Sequence, residues 1–467
     1  MTRNEAAGGL WLWPLAVLGL GAGLATVRLA EMPGRWVIAF LIGLVVLAAA
    51  LVSGRLERAP LFVFVFSLQI GLALYLTAPP ARPSVGASWP NSLAVPLSSL
   101  MALAALALRP ARKLLWGRGT CVCTGLLILT TAASLLSSPF ILIGVSHLVV
   151  LLAYFCVYLA AANAVSSRAD LDLVLRILMA SLVLQSLIYF AQSLVGATFT
   201  PAGEWITPSG DALGRYGGTA GPRPAAFSSF LLPLLLLAVS HFLAARDRGA
   251  RLRYGLLAAV GSGALMLTFT RAAWIGFALG LAYLLAARMR RRLLVGRNVA
   301  VLLIILLVVT LALLPRILMR VGEDYRAALE ERWALVRMAL QVIEANPLMG
   351  AGAGAYPYVF RDYLTSESAD RWLYVVHNVY LLRAAETGLP GLVAWLAFLW
   401  VAFRQAAPER MVLPALRPLA LGWRAGLVAL AWEMLWDVTL GPAANSLLWF
   451  LCGLMGAAAR MPPARAE

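Results

Sequence analysis

The chain has 467 residues, of which 62% are hydrophobic and 13% are charged, and its formal net charge is +17. With a mean hydropathy of +0.84, this composition excludes a soluble globular domain and predicts a chain whose main solvent is lipid. The arginines lie in short loops between apolar stretches, which is typical of membrane topology and not of nucleic-acid binding, so no nucleic-acid partner is predicted.

Fourteen apolar windows approach the length of about 20 residues that a helix needs to cross a bilayer. They cover residues 10–29, 36–53, 60–78, 91–108, 120–137, 140–163, 172–195, 226–244, 254–270, 272–288, 298–315, 389–404, 418–437 and 443–459. Short windows would reduce the number, so the sequence predicts an all-α polytopic integral membrane protein with about 12 to 14 transmembrane helices. The first window lacks a small-residue cleavage site and is expected to be retained as a helix.

Basic clusters predict the orientation of these spans, because positive residues near span ends are held on the cytoplasmic side. The clusters are Arg109, Arg112, Lys113 and Arg118, then Arg246, Arg248, Arg251 and Arg253, then Arg288, Arg290, Arg291, Arg292 and Arg297. They fall on alternate loops, which places both termini inside. The same parity places residues 196–225, the turn at Arg271 and residues 316–376 on the outer face.

The chain divides into a helical bundle over residues 1–315, an outer helical loop over 316–388 and C-terminal membrane helices over 389–467. In the loop, residues 323–344 contain no Gly or Pro and predict an amphipathic helix that Asn346-Pro347 ends. Its predicted apolar face consists of Leu329, Trp333, Leu335, Val336, Leu340 and Ile343. For the glycine-rich residues 348–354, a tight turn that lets backbone pack closely is favoured, and phosphate binding is the less favoured alternative.

Three outer arginines are candidate ligands for an anion. Arg271 interrupts an apolar stretch on the outer side, where it either contacts an anion or is an interfacial residue whose stem reaches water. Arg215 and Arg223 lie in a glycine-rich outer segment, whose composition is compatible with either solvent or a ligand.

Of the three histidines, His147 and His241 lie within or at the end of apolar segments, whereas His377 lies where the outer loop re-enters the membrane. Imidazole is suited to act as a base near neutral pH, although a histidine at a helix start can also cap backbone groups. Glu433 and Asp437 are spaced one helical turn apart, so they share a face and either act on substrate or, the favoured interpretation, balance the outer arginines.

Two motifs carry a resemblance to a known family. His377-Asn378, nine further residues and then Gly388-Leu389-Pro390-Gly391 fit the H-[NSQ]-x9-G-x-x-G pattern of bacterial O-antigen ligases. Residues 346–352, Asn-Pro-Leu-Met-Gly-Ala-Gly, resemble a stretch of the wider ligase and polymerase family. The order of elements from Arg215 onward is also similar.

The resemblance implies a GT-C-like membrane glycosyltransferase in the bacterial inner membrane, with its active site facing the periplasm. The expected reaction transfers a polysaccharide from undecaprenyl diphosphate to the lipid A-core oligosaccharide, so the expected partners are this donor, this acceptor and membrane lipids. The family's histidine falls on His377, and its arginines fall on Arg271 and Arg215, with Arg223 as a rival for the latter. Arg332 and Trp333 resemble a further family feature. Supporting roles are expected for Asn378, Arg332, Glu386, Glu433 and Asp437.

Fixed guanidinium groups can stabilise a diphosphate leaving group without a metal ion, so neither a metal nor another cofactor is predicted. His377 as a base in one displacement predicts inversion at the anomeric carbon, which we favour over two steps with retention. The alternatives are a polysaccharide polymerase of the same family and, from a more distant class, a flippase or transporter of lipid-linked oligosaccharides. Spacing after His377 favours the ligase.

Overall fold

The computed structural model describes residues 56–75, 93–108, 114–199, 205–206, 216–220, 223–292, 295–321, 325–363, 375–438 and 441–461. The predicted spans at 10–29 and 36–53, the candidate Arg215 and the basic residues Arg109, Arg112 and Lys113 lie outside the described residues.

Within this part of the chain the structure is almost entirely helical. The helices are α1 (Ala59–Ser67), α2 (Leu97–Ala107), α3 (Arg118–Ala133), α4 (Ile141–Ala164), α5 (Arg168–Val195), α6 (Pro224–Ala244), α7 (Arg248–Leu267), α8 (Arg271–Arg290), α9 (Gly296–Val321), α10 (Tyr325–Ala345), α11 (Tyr356–Val359), α12 (Val379–Gln405), α13 (Arg417–Glu433) and α14 (Pro442–Ala459). Short 3-10 turns occupy Leu56–Arg58, Ser134–Leu136, Phe360–Tyr363, Pro408–Arg410 and Pro414–Leu416.

Eight of the described helices are long and apolar enough to cross a membrane, namely α3, α4, α5, α6, α8, α9, α12 and α14. The predicted class, an all-α polytopic membrane protein, is therefore confirmed. Each predicted window within the described residues overlaps a helix, because long apolar runs are the strongest signal in such a sequence.

The two windows at 60–78 and 91–108 differ in detail from the prediction. Helix α1 ends at Ser67 and α2 begins at Leu97, and between them strands β1 (Ala73–Tyr75) and β2 (Ala94–Pro96) pair antiparallel with Leu74 opposite Val95. Pro96, which cannot donate a backbone hydrogen bond, ends β2 and precedes the first turn of α2. A second antiparallel pair joins β3 (Thr198–Phe199) and β4 (Trp205–Ile206).

Helix α13 packs against both α6 and α8, and close contacts between backbones show how α13 runs relative to α8. A Cβ placed on Gly276 would lie 2.9 Å from the carbonyl oxygen of Ala429, and one on Gly280 would lie 2.8 Å from that of Ala425. Small residues allow membrane helices to pack at such short distances. Because the residue numbers run in opposite directions, the helices are antiparallel, and the start of α8 lies at the same end as the close of α13.

The predicted amphipathic helix is present as α10, but one part of its predicted face was wrong. The buried residues are Leu335, Met338, Ala339, Val342 and Ile343, which pack in a second hydrophobic cluster with residues near the start of α12. Trp333 and Leu340 are 58% and 43% exposed. These two residues are seven positions apart, so they lie on one side of the helix. Residues 335, 338, 339 and 342 lie on the opposite side.

Helix α12 begins at Val379, ten residues before the predicted span at 389–404. The Gly388-Leu389-Pro390-Gly391 motif does not separate a loop from a helix, and it forms a kink within α12, with Gly388 at φ 71° and ψ 176°. The Leu389 N–H, which the kink frees, donates to the carbonyl of Pro347 at 2.8 Å. The predicted boundary between residues 388 and 389 therefore coincides with this kink.

Candidate active site

His377 lies immediately before α12, and its neighbour Asn378 caps that helix. The Asn378 side-chain oxygen accepts hydrogen bonds from the N–H groups of Tyr380 at 2.9 Å and Leu381 at 3.0 Å. This satisfies two of the amide groups that a helix start leaves without partners. The capping role considered for His377 is thus filled by Asn378.

The start of α12 is fixed against the turn that follows α13. The Val379 N–H donates to the carbonyl of Met434 at 2.8 Å, and the Asn378 amide donates to the carbonyl of Leu435 at 3.2 Å. The Tyr380 hydroxyl donates to the carbonyl of Ala431 at 2.9 Å. These bonds hold residue 377 beside the segment that leads to Asp437.

Four charged side chains are close enough to His377 to influence its protonation. Burial lowers the pKa of His377 most, the carboxylates of Asp437 and Glu331 raise it, and the guanidinium groups of Arg332 and Arg223 lower it. The result is a pKa below the ordinary value for histidine. At neutral pH the ring is therefore held in its neutral form, which can accept a proton.

The structure gives the two predicted acidic residues different surroundings. Glu433 is fully buried and accepts hydrogen bonds from Ser228 and from Ser229, the latter at 3.0 Å. Asp437 lies beyond the end of α13, is partly exposed and acts on His377. Glu433 therefore joins α6 to α13, while Asp437 belongs to the surroundings of the histidine.

Helix starts from three parts of the chain meet at this end of the bundle. The Glu433 contacts place the second turn of α6, five residues after Arg223, beside the close of α13. Arg271 is the first residue of α8, whose start lies at the same end, and it is partly buried. The start of α12 is the third. Helix N-termini carry partial positive charge and bind anions, so this end combines those dipoles with the exposed guanidinium group of Arg223 and with Arg271.

Glu386 lies elsewhere, nine residues after His377 and therefore about 13 Å farther along the helix axis. It is 3% exposed. Its carbonyl accepts a hydrogen bond from Gly352 N–H at 3.1 Å, and that of Ala385 accepts one from Ala351 N–H at 2.8 Å. Glu386 thus lies where the glycine-rich segment packs on α12.

The glycine-rich segment packs closely against protein backbone, as its sequence favoured. Gly350, Gly352 and Gly354 all have positive φ. A Cβ on Gly350 would lie 2.4 Å from the carbonyl carbon of Glu386, and one on Gly352 would lie 2.3 Å from the Cβ of Ser138. The glycines are required by this packing.

Sequence analysis missed a set of polar residues that hold the glycine-rich stretch before Arg223. Gln185, Tyr189 and Gln192 of α5 are buried and hydrogen-bond to residues 216–219. They were hidden within an apolar span. Their spacing of i, i+4 and i+7 places them on one helix face, and this regularity was the available signal.

Across the residues that the structure describes, no group of three His, Cys, Asp or Glu side chains is arranged to hold a metal ion.

Residues 256–396 match the protein family described as O-Antigen ligase. The matched stretch runs from α7 into α12 and contains Arg271, Arg332 and His377. No curated protein matches the chain.

Proposed function

From the match of residues 256–396 to the O-antigen ligase family, we propose that this membrane protein is an O-antigen ligase. It transfers a polysaccharide from undecaprenyl diphosphate to the lipid A-core oligosaccharide. The observation that carries the proposal is the meeting of His377 with the charges of Arg223, Arg332 and Asp437 where three helix starts converge. Chemistry between a sugar diphosphate and a hydroxyl needs both a base and anion-stabilising groups.

The positions of the basic clusters support an active site on the periplasmic face. Arg248, Arg251 and Arg253 lie at the start of α7, and Arg288 and Arg290 lie at the end of α8. Arg271 begins α8, so these clusters are a full helix length away from the His377 end. Positive residues mark the cytoplasmic side of inner-membrane proteins, and this rule supports a periplasmic position for His377.

In the proposed reaction, the acceptor hydroxyl attacks the anomeric carbon of the donor sugar while the bond to the diphosphate oxygen breaks. His377 takes the proton of the hydroxyl, and the undecaprenyl diphosphate leaves with the bonding electron pair. Arg223, Arg271 and the helix N-termini stabilise the growing negative charge. This single displacement inverts the anomeric configuration and uses no metal ion.

Asp437 gives the proposal a pH dependence with a defined sign. A base is active when unprotonated, so kcat/KM should fall on the acid side only as pH drops through the lowered pKa of His377. The carboxylate of Asp437 raises that pKa, so Asp437→Asn should move the acid limb to lower pH. Asp362→Asn, which changes an exposed carboxylate in a 3-10 turn, should leave the limb in place. An acid limb of Asp437→Asn that is unshifted, or that moves to higher pH, would show that Asp437 does not raise the pKa of the catalytic base.

Lipopolysaccharide from a strain that lacks the protein tests the activity. Loss of all O-chain from lipid A, with lipid-linked polymer still present, is the expected result, and plasmid-borne wild-type protein should restore the O-chain. Lipid A-core carrying a single repeat unit would indicate a polymerase, an activity that the family match also allows. Absence of periplasmic polymer would indicate a flippase. Either pattern would contradict the ligase proposal.

A further inference from the structure

A stripe of three polar side chains runs along the C-terminal part of α5, which is otherwise largely apolar. It consists of Gln185, Tyr189 and Gln192, which are 1%, 0% and 7% exposed. A polar group buried without hydrogen bonds costs roughly 1 to 3 kcal/mol in proteins. Such a stripe therefore requires partners, and all three residues have them.

All three residues bond to backbone groups of residues 216–220, which we name the strap, and Gln185 also donates to the Thr219 hydroxyl at 2.5 Å. Three N–H groups of the strap donate to the stripe: Tyr216 to the Tyr189 hydroxyl at 3.3 Å, Gly218 to the Gln192 amide oxygen at 3.0 Å, and Thr219 to that of Gln185 at 3.3 Å. The strap forms no helix or strand of its own. Side chains of α5 instead satisfy the backbone amides of Tyr216, Gly218 and Thr219.

The other side of the strap is bonded to the segment after α1. The Gly71 N–H donates to the carbonyl of Thr219 at 2.9 Å, and the Thr219 hydroxyl donates to that of Gln69 at 3.2 Å. The Gln185 amide closes the network by donating to the Gln69 side-chain oxygen at 3.1 Å. A Cβ on Gly71 would lie 2.4 Å from the Ala220 oxygen, so the strap fits tightly between the two segments.

One atom of the stripe also reaches the turn before Arg271. The Tyr189 hydroxyl donates to the carbonyl of Leu267 at 3.0 Å while it accepts from Tyr216 N–H. Leu267 ends α7, four residues before Arg271, and the strap ends three residues before Arg223. A single hydroxyl thus connects the two chain segments that lead to the two arginines.

We infer that the stripe is a positioning framework, which fixes the approach of Arg223 and Arg271 to a diphosphate before the substrate binds. This inference rests on the proposed function, because the arginines' ligand comes from it. Guanidinium groups that are already in place need no reorganisation during the reaction, and a displacement of about 1 Å can cost about 100-fold in rate. Gln185, Tyr189 and Gln192 act through the arginines and do not contact the reacting atoms.

Tyr189→Phe tests the inference because it removes only the hydroxyl. In purified protein in lipid nanodiscs, we expect hydrogen–deuterium exchange of peptides covering residues 216–220 to become faster. We also expect kcat/KM for the lipid-linked donor to fall about tenfold, with a higher KM for the donor and an unchanged KM for the acceptor. A merely structural role would lower the folded fraction and leave both KM values unchanged. Gln192→Leu should give the same pattern.

The matched control is Tyr254→Phe, which removes a hydroxyl near the start of α7, about 20 Å along that helix from Leu267. It should change neither exchange in the strap nor the donor KM. Unchanged exchange in Tyr189→Phe and Gln192→Leu would show that the stripe does not hold the strap. Faster exchange with unchanged donor kinetics would refute the positioning role. If the wild-type protein transferred no sugar, the proposed function would fail, while the exchange data would still decide whether the stripe holds the strap.

Discussion

The substitution His377→Gln is expected to lower the rate of glycosyl transfer by about 10²- to 10⁴-fold, the usual contribution of a positioned general base. Glutamine keeps a polar side chain of similar length but cannot accept the proton of the acceptor hydroxyl. Folding should be preserved, because bonds of Asn378, Val379 and Tyr380 fix the start of α12. The measurement is transfer by purified protein from a lipid-linked donor to lipid A-core, with EDTA present because no metal ion is expected to take part.

His241→Gln serves as the control. The His241 ring stacks on Tyr254 and bonds to the carbonyl of Leu237 near the end of α6 that is remote from Arg223. This substitution should leave the transfer rate per folded molecule within about twofold, since it touches neither the base nor the arginines. Wild-type transfer rates in His377→Gln would remove His377 from the mechanism, and dependence on an added divalent cation would show that the site needs a metal.

Much of the fold was predictable because it depends on local sequence. Apolar windows such as 140–163 and 226–244 correspond to α4 and α6 within a few residues. The helix over residues 325–345 followed from an uninterrupted amphipathic stretch, and the dense packing of residues 348–354 followed from their glycines. These features require only the period of a helix or the absence of a side chain.

The residues around His377 were predictable only in part, because their meeting depends on contacts between distant segments. The motif identified His377 and Asn378, but the proximity of Arg223, Arg332 and Asp437 to the imidazole follows from how α6, α10 and α13 pack. The rotation of α10, which exposes Trp333, was set by the cluster beneath it. No pattern within one segment contains that information.

The polar stripe on α5 is a second feature whose partner the sequence of one segment could not predict. An apolar span with regularly spaced glutamines indicates that something must satisfy them, yet the partner, a strap some 30 residues later, has no signal of its own. Its glycines and threonine are typical of any loop. The pairing became evident only from the contacts of Gly218 and Thr219.

The substitution Gly388→Ala is expected to have the largest effect on stability. Gly388 has φ 71° and ψ 176°, a backbone conformation that is essentially restricted to glycine and costs other residues about 1 to 3 kcal/mol. In addition, a Cβ there would lie 2.3 Å from the carbonyl oxygen of Leu348. That oxygen belongs to backbone held in place by the bond from Leu389 to Pro347. We therefore expect the free energy of unfolding to fall by roughly 3 kcal/mol or more, together with a loss of transfer activity.

Gly196→Ala provides a reference, because it is a positive-φ glycine without a close neighbour. Gly196 ends α5 at φ 76° and ψ 17°, and a Cβ there would meet nothing within 4 Å. Its cost should be about 1 kcal/mol, the ordinary penalty for a left-handed residue with a side chain. Thermal unfolding in the same detergent, followed by tryptophan fluorescence, compares the two variants directly. Equal losses would mean that neither the ψ 176° backbone of Gly388 nor its contact with Leu348 adds to the ordinary cost of a left-handed residue, whereas we expect a larger loss in Gly388→Ala because both contribute.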